Sequence, residues 1–208
     1  MPGCSHHHPT APIDDSRYRQ ALVAVLVINA AMFAIEGTAG LVGGSVALQA
    51  DALDFLGDAA TYALSLAVLG SALRWRASAA LVKGVTMATF GSWVVGASIY
   101  QAVVETVPSA PMMSGVGIAA LAANLASAAI LFRFRSGDSN RLSAWLCTRN
   151  DAIGNVAVIA AGGAVFLTNS GWPDVAVGLV MGGLALQSAY LVITQAKQEL
   201  VAVRLTAE

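Results

Sequence analysis

Six apolar stretches, each long enough to cross a lipid bilayer as a helix, govern what this chain can fold into. They run over about 20–43, 45–73, 79–104, 112–132, 142–168 and 174–197. The hydrocarbon core of a bilayer is about 30 Å thick, which takes roughly 20 residues at 1.5 Å each. Inside it every backbone N–H and C=O must find a partner within the protein, and a helix provides all of them locally. The stretches therefore predict an all-α fold, a polytopic membrane protein with six transmembrane helices. Composition agrees, since only 11% of the 208 residues are charged against about a quarter in a soluble domain. Three parts follow: an N-terminal tail over 1–19, a membrane domain over 20–198 and a short tail over 199–208.

The basic residues orient the spans. Arg17, Arg19, Arg74, Arg76, Lys83, Arg133, Arg135, Arg141, Arg149, Lys197 and Arg204 all fall on or near one side if the spans alternate. The opposite connections, near 43–44, 105–111 and 169–174, carry none. Basic loops stay in the cytoplasm, so both termini are expected there, in the cell (inner) membrane. Tyr18, Trp75, Tyr100 and Trp172 fall near the expected interfaces, where aromatic rings collect. The polar start of the chain lacks the charged-then-apolar order of a cleavable signal, so it reads as a retained tail. A net charge of −1 points to no nucleic-acid partner. Cys4 lies in the polar tail and Cys147 in an apolar span, so two reduced thiols are expected rather than a disulfide.

Two pairs of polar side chains interrupt the apolar stretches with helical spacing. Asp54 and Asp58 are four apart in span two, and Cys147 and Asp151 are four apart in span five. That spacing puts each pair on one helix face. An ionisable group at membrane depth is costly and persists by facing the bundle interior, a partner or an ion. Spans two and five run antiparallel, and the depths of Asp58 and Asp151 differ by about 6 Å at 1.5 Å per residue. Tilt can close that gap, so both pairs can meet near mid-membrane around one divalent cation. Four such donors suit a tetrahedral site, and a thiolate favours Zn²⁺, Cd²⁺ or Co²⁺ over Mg²⁺ or Ca²⁺. Carboxylates and a thiol bind metal when deprotonated, so metal and protons compete for them. That competition, with alternating access about a fixed site, makes proton-coupled antiport the expected mechanism. The structural alternative for the same residues is polar glue between helices.

Other polar residues are expected to act around this site. Asp51 lies one turn before Asp54 and either lines the outer mouth or bonds a neighbouring helix. Glu36 and Asn29 share a face of span one, and Asn155 is one turn beyond Asp151. These are candidates to orient ligands. Arg149 points to a different face from its neighbours and is expected to snorkel or to pair with an acid. The tail run Cys4, Ser5, His6, His7 and His8 is a candidate loading site, as Cys/His tracts bind metal. Gly178 and Gly182 permit close packing within the chain, or a homodimer seam through the membrane helices. The ligand pairs occupy the second span of each three-span half, a hint of an inverted repeat.

The stretch from Gly44 to Asp58, GSVALQADALDFLGD, resembles span two of the cation diffusion facilitators. Asn150–Val156 looks like their span-five signature, Asn29 with Glu36-Gly37 resembles span one, and Trp172-Pro173-Asp174 resembles the turn into span six. The resemblance covers roughly 18–200. It implies a transporter, not an enzyme, that moves divalent metal, usually Zn²⁺, out of the cytosol against protons. It also implies Asp54, Asp58 and Asp151 as ligands, with Cys147 at the fourth position, where the family usually has His or Asp. Members usually carry a cytoplasmic metallochaperone-like domain after span six, and this sequence shows none. The alternative from a different class is a membrane metal sensor or scaffold, without flux, working through the Cys/His tail.

Overall fold

A computed structural model describes residues 15–67, 73–134 and 139–205, except for the side chains at 15, 65, 73–76, 139–150 and 202–205. The described residues form six helices: α1 (Asp15–Gly43), α2 (Val46–Ala67), α3 (Leu73–Val104), α4 (Ala110–Phe132), α5 (Ser139–Thr168) and α6 (Trp172–Leu205). These match the expected spans, with α1 starting before residue 20 and α6 running past 197. Five of them are long and apolar enough to cross a membrane. The other, α2, has 22 residues, about 33 Å at 1.5 Å each. It differs in carrying Asp51, Asp54 and Asp58 at intervals of three and four, which gathers them on one face.

Large apolar side chains cover the outside. Val103, Phe166 and Leu167 are 77%, 75% and 83% exposed, which suits lipid rather than water. Inside, α1 packs on α2, α4 on α5, and α3 on α6, with further contacts of α1 with α4 and α2 with α5. Exchanging the first three helices for the last three nearly preserves this pattern, as an internal repeat would. One core cluster joins Leu48 and Leu53 of α2, Met113 of α4, Val158 and Val165 of α5 and Met181 of α6. A second joins Leu22 and Val25 of α1 to Tyr62 of α2 and Leu131 of α4.

The connections at one end are tight. Gly44, at φ +66°, takes the left-handed turn from α1 to α2 without a Cβ penalty. Ser109 N donates to Gly43 O at 2.9 Å and Ser109 O accepts from Met113 N at 3.0 Å, so the start of α4 is tied to the end of α1. Pro111 sits in the first turn of α4, where a missing N–H costs nothing.

The packing of α6 on α2 and α3 explains the glycine pair. A Cβ at Gly178 would lie 2.7 Å from Val46 Cγ2 and 2.9 Å from Ser98 Oγ. One at Gly182 would lie 3.1 Å from Val95 Cγ2. These glycines serve close packing within the chain, the first of the two roles their spacing permits.

Candidate metal centre

The site is built from the start of α2 inward. Asp174, in the first turn of α6 and fully buried, reaches across to α2. Its carboxylate accepts from Ser45 Oγ at 2.6 Å, Val46 N at 2.9 Å and Ala47 N at 3.1 Å. Gln101 Nε2 of α3 donates to it at 3.0 Å. Ser45 Oγ in turn accepts from Leu48 N at 3.1 Å, as an N-cap does. An anion at a helix N-terminus meets orphan N–H groups and the positive end of the dipole. This pin fixes the height and rotation of α2, and with them the face that carries its three aspartates.

Two carboxyl pairs result. Asp58 of α2 meets Asp151 of α5, their side chains hydrogen-bonded across the helix interface. Tyr62 OH also donates to Asp58 Oδ2 at 3.0 Å. Asp54, one turn away, lies within electrostatic reach of Asp58, Asp51 and Asp151. Asp54, Asp58 and Asp151 are half-buried. Lys83 of α3 donates to Thr61 Oγ1 and acts electrostatically on Asp58.

The second pair is Glu36 of α1 against Asp51 of α2, 0% and 1% exposed. Asn155 of α5 stands over Asp51. With its amide nitrogen turned toward that carboxylate it donates at 3.0 and 2.5 Å, and its oxygen accepts from Asn124 Nδ2 of α4 at 2.8 Å. Asn29 is buried as expected but donates to Val25 O of its own helix at 2.7 Å. Among the described residues no three of His, Cys, Asp and Glu form a metal-binding group.

The backbone of Cys147 lies on α5, one turn before Asp151; its side chain, with those of Arg149 and Asn150, lies outside the described residues. Cys4, His6, His7 and His8 also lie outside them. Sequence reasoning missed Tyr62, Lys83 and Asn124, and it missed that Asp174 caps α2. The signals were faint: a tyrosine four residues after Asp58, a lysine within an apolar span, and an acid just after a proline.

Residues 22–201 match the cation efflux transmembrane domain family. The zinc transporter ZitB of Pectobacterium atrosepticum is 28% identical over 210 residues, which cover 94% of this chain and 64% of that protein. The chain thus spans less than two-thirds of the length of that curated relative. With five long apolar helices and a match over most of its length, the chain is a multi-pass membrane protein and belongs to the cation efflux family, the cation diffusion facilitators its motifs resemble.

Proposed function

We propose that this protein exports divalent transition-metal cations from the cytoplasm, Zn²⁺ foremost with Cd²⁺ and Co²⁺ as alternatives, in exchange for protons. The observation that carries the reading is the meeting of Asp58 and Asp151 from two neighbouring helices inside an apolar bundle. Two carboxyl groups in contact need a proton or a cation between them. Family membership and the zinc transporter relative support the cargo and the direction. A transporter family also argues against an enzyme.

In this mechanism Asp54, Asp58 and Asp151 hold the cation, and Cys147, one turn before Asp151, supplies the fourth donor. Protons entering from outside compete for the same groups and release the metal. Tyr62 orients Asp58 by its hydrogen bond. Buried apolar clusters lie on both sides of the aspartates, Leu48, Met113, Val158 and Val165 toward the outer end and Leu22, Val25, Tyr62 and Leu131 toward the cytoplasmic end. Alternating opening of the two ends would expose the half-buried aspartates to each side in turn. The tail with Cys4, His6, His7 and His8 would deliver metal to the cytoplasmic side.

The test is side-specific flux in sealed vesicles containing the purified full chain. Zn²⁺ moving one way should drive protons the other way, and Asp58→Asn and Asp151→Asn should each abolish both fluxes. Full transport in either variant overturns the site, and metal flux without proton flux overturns the exchange.

A further inference from the structure

The mechanism above leaves Glu36, Asp51, Asn124 and Asn155 without a role. Glu36 and Asp51 face each other at 0% and 1% exposure, and neither is in an ion pair. The two carboxyl groups share a side-chain hydrogen bond, and no other group bonds the Glu36 oxygens. Asn124 Oδ1 and Ser127 Oγ, on the same helix at 2% and 0% exposure, also have no partner. Buried polar atoms are normally satisfied, and a cluster of orphaned acceptors calls for a missing donor, water or ion. Two carboxylates only accept, so the contact between Glu36 and Asp51 holds either a shared proton or a cation in its place. A cation satisfies several acceptors at once.

We propose that Glu36 and Asp51, completed by the amide oxygen of Asn155, form a second divalent-cation subsite, separate from the Asp58–Asp151 pair. A half-turn of the Asn155 amide replaces its two donor contacts to Asp51 with an oxygen ligand. Its nitrogen then faces Asn124, whose unpaired Oδ1 turns to accept it. In exchange, Asn124 Nδ2 gives up its bond to the Asn155 oxygen. All its donors are oxygen, whereas the first site has a thiol one turn from Asp151. Oxygen donors suit harder cations, so this subsite accepts Mn²⁺ on more equal terms with Zn²⁺. Asp54 lies within electrostatic reach of Asp51 and Asp58, so the two sites are neighbours along α2.

The inference concerns binding and stands whether or not the chain transports. The test is equilibrium dialysis of the purified full chain in detergent against Zn²⁺ alone and Mn²⁺ alone. Wild type should bind two equivalents of Zn²⁺. Asp58→Asn with Asp151→Asn should keep one. Glu36→Gln and Asp51→Asn should each lose one, or weaken it at least about tenfold, and lose Mn²⁺ binding with it. Asn155→Leu, which removes the flipping amide without touching a charge, should weaken the same equivalent and keeps the test open if a carboxyl variant does not fold. Unchanged stoichiometry in folded Glu36→Gln or Asp51→Asn overturns the subsite and leaves the first site standing. A single equivalent lost alike in all variants merges the two sites and also overturns it. No binding by wild type overturns both readings.

Discussion

Replacing Asp174 with alanine tests how the site is positioned. The buried carboxylate accepts four hydrogen bonds. Ser45 Oγ and Gln101 Nε2 are side-chain donors that can turn elsewhere, but the N–H groups of Val46 and Ala47 are fixed by the helix. Each buried unpaired donor costs about 1–3 kcal/mol, so two cost about 2–6 kcal/mol. Loss of the anion at the helix N-terminus adds roughly 0.3–1 kcal/mol. A total near 4 kcal/mol corresponds to a fall in Tm of about 8–16 °C at roughly 2–4 °C per kcal/mol for a chain of this size. Asp174→Asn keeps one acceptor and should show about half the effect. The assay is thermal unfolding in detergent, followed by loss of the monodisperse peak and by Trp fluorescence. Zn²⁺ affinity should weaken with stability, by about tenfold, because α2 loses the contact that fixes its aspartates. A fall of less than about 2 °C for a folded Asp174→Ala protein would refute the claim that this carboxylate pins α2.

Cys147→Asp should lower the preference for Cd²⁺ over Mn²⁺, since a soft donor becomes a hard one; competition binding with the two ions reads it, and an unchanged ratio removes Cys147 from the site. Lys83→Met should tighten Zn²⁺ by about fivefold, since one positive charge acting on Asp58 repels the ion by about 1 kcal/mol in a medium between protein and water. That gain should shrink in high salt if the side chain is reached by solvent. Tyr62→Phe removes the hydroxyl at 3.0 Å from Asp58 Oδ2 and should weaken Zn²⁺ by about three- to tenfold, the net worth of one ordinary hydrogen bond. Gly178→Val should destabilise by about 1–3 kcal/mol through overpacking against Val46 and Ser98, with the oligomeric state unchanged by light scattering.

Apolar runs and aspartate spacing made the helices and the α2 face legible in the sequence, because membrane depth leaves few alternatives. The pairing of Asp58 with Asp151 was also within reach, since antiparallel spans fix depth to a few ångströms. Asp174 shows where such reasoning stops. An acid in the first turn of a helix reads as a partner for that helix's own N-terminus, yet α6 presents it to α2, 129 residues from Ser45. Only tertiary packing decides between the two. Glu36 and Asn29 share a face of α1, but one faces Asp51 and the other bonds its own backbone. Spacing alone could not separate them, because a buried amide can satisfy itself on the preceding turn.

The contact between Asp174 and the start of α2 also sets a mechanical ratio. From Asp174 helix α6 runs on to Leu205, about 47 Å at 1.5 Å per residue, whereas Asp54 lies roughly 13 Å along α2 from Ser45. Two rods joined at one fulcrum with such unequal arms act as a lever. A swing that carries the far tip of α6 by about 4 Å shifts the Asp54 carboxylate by about 1 Å, the scale on which contacts between the buried carboxyl groups change. Forces applied at the distant tip are correspondingly amplified on arrival.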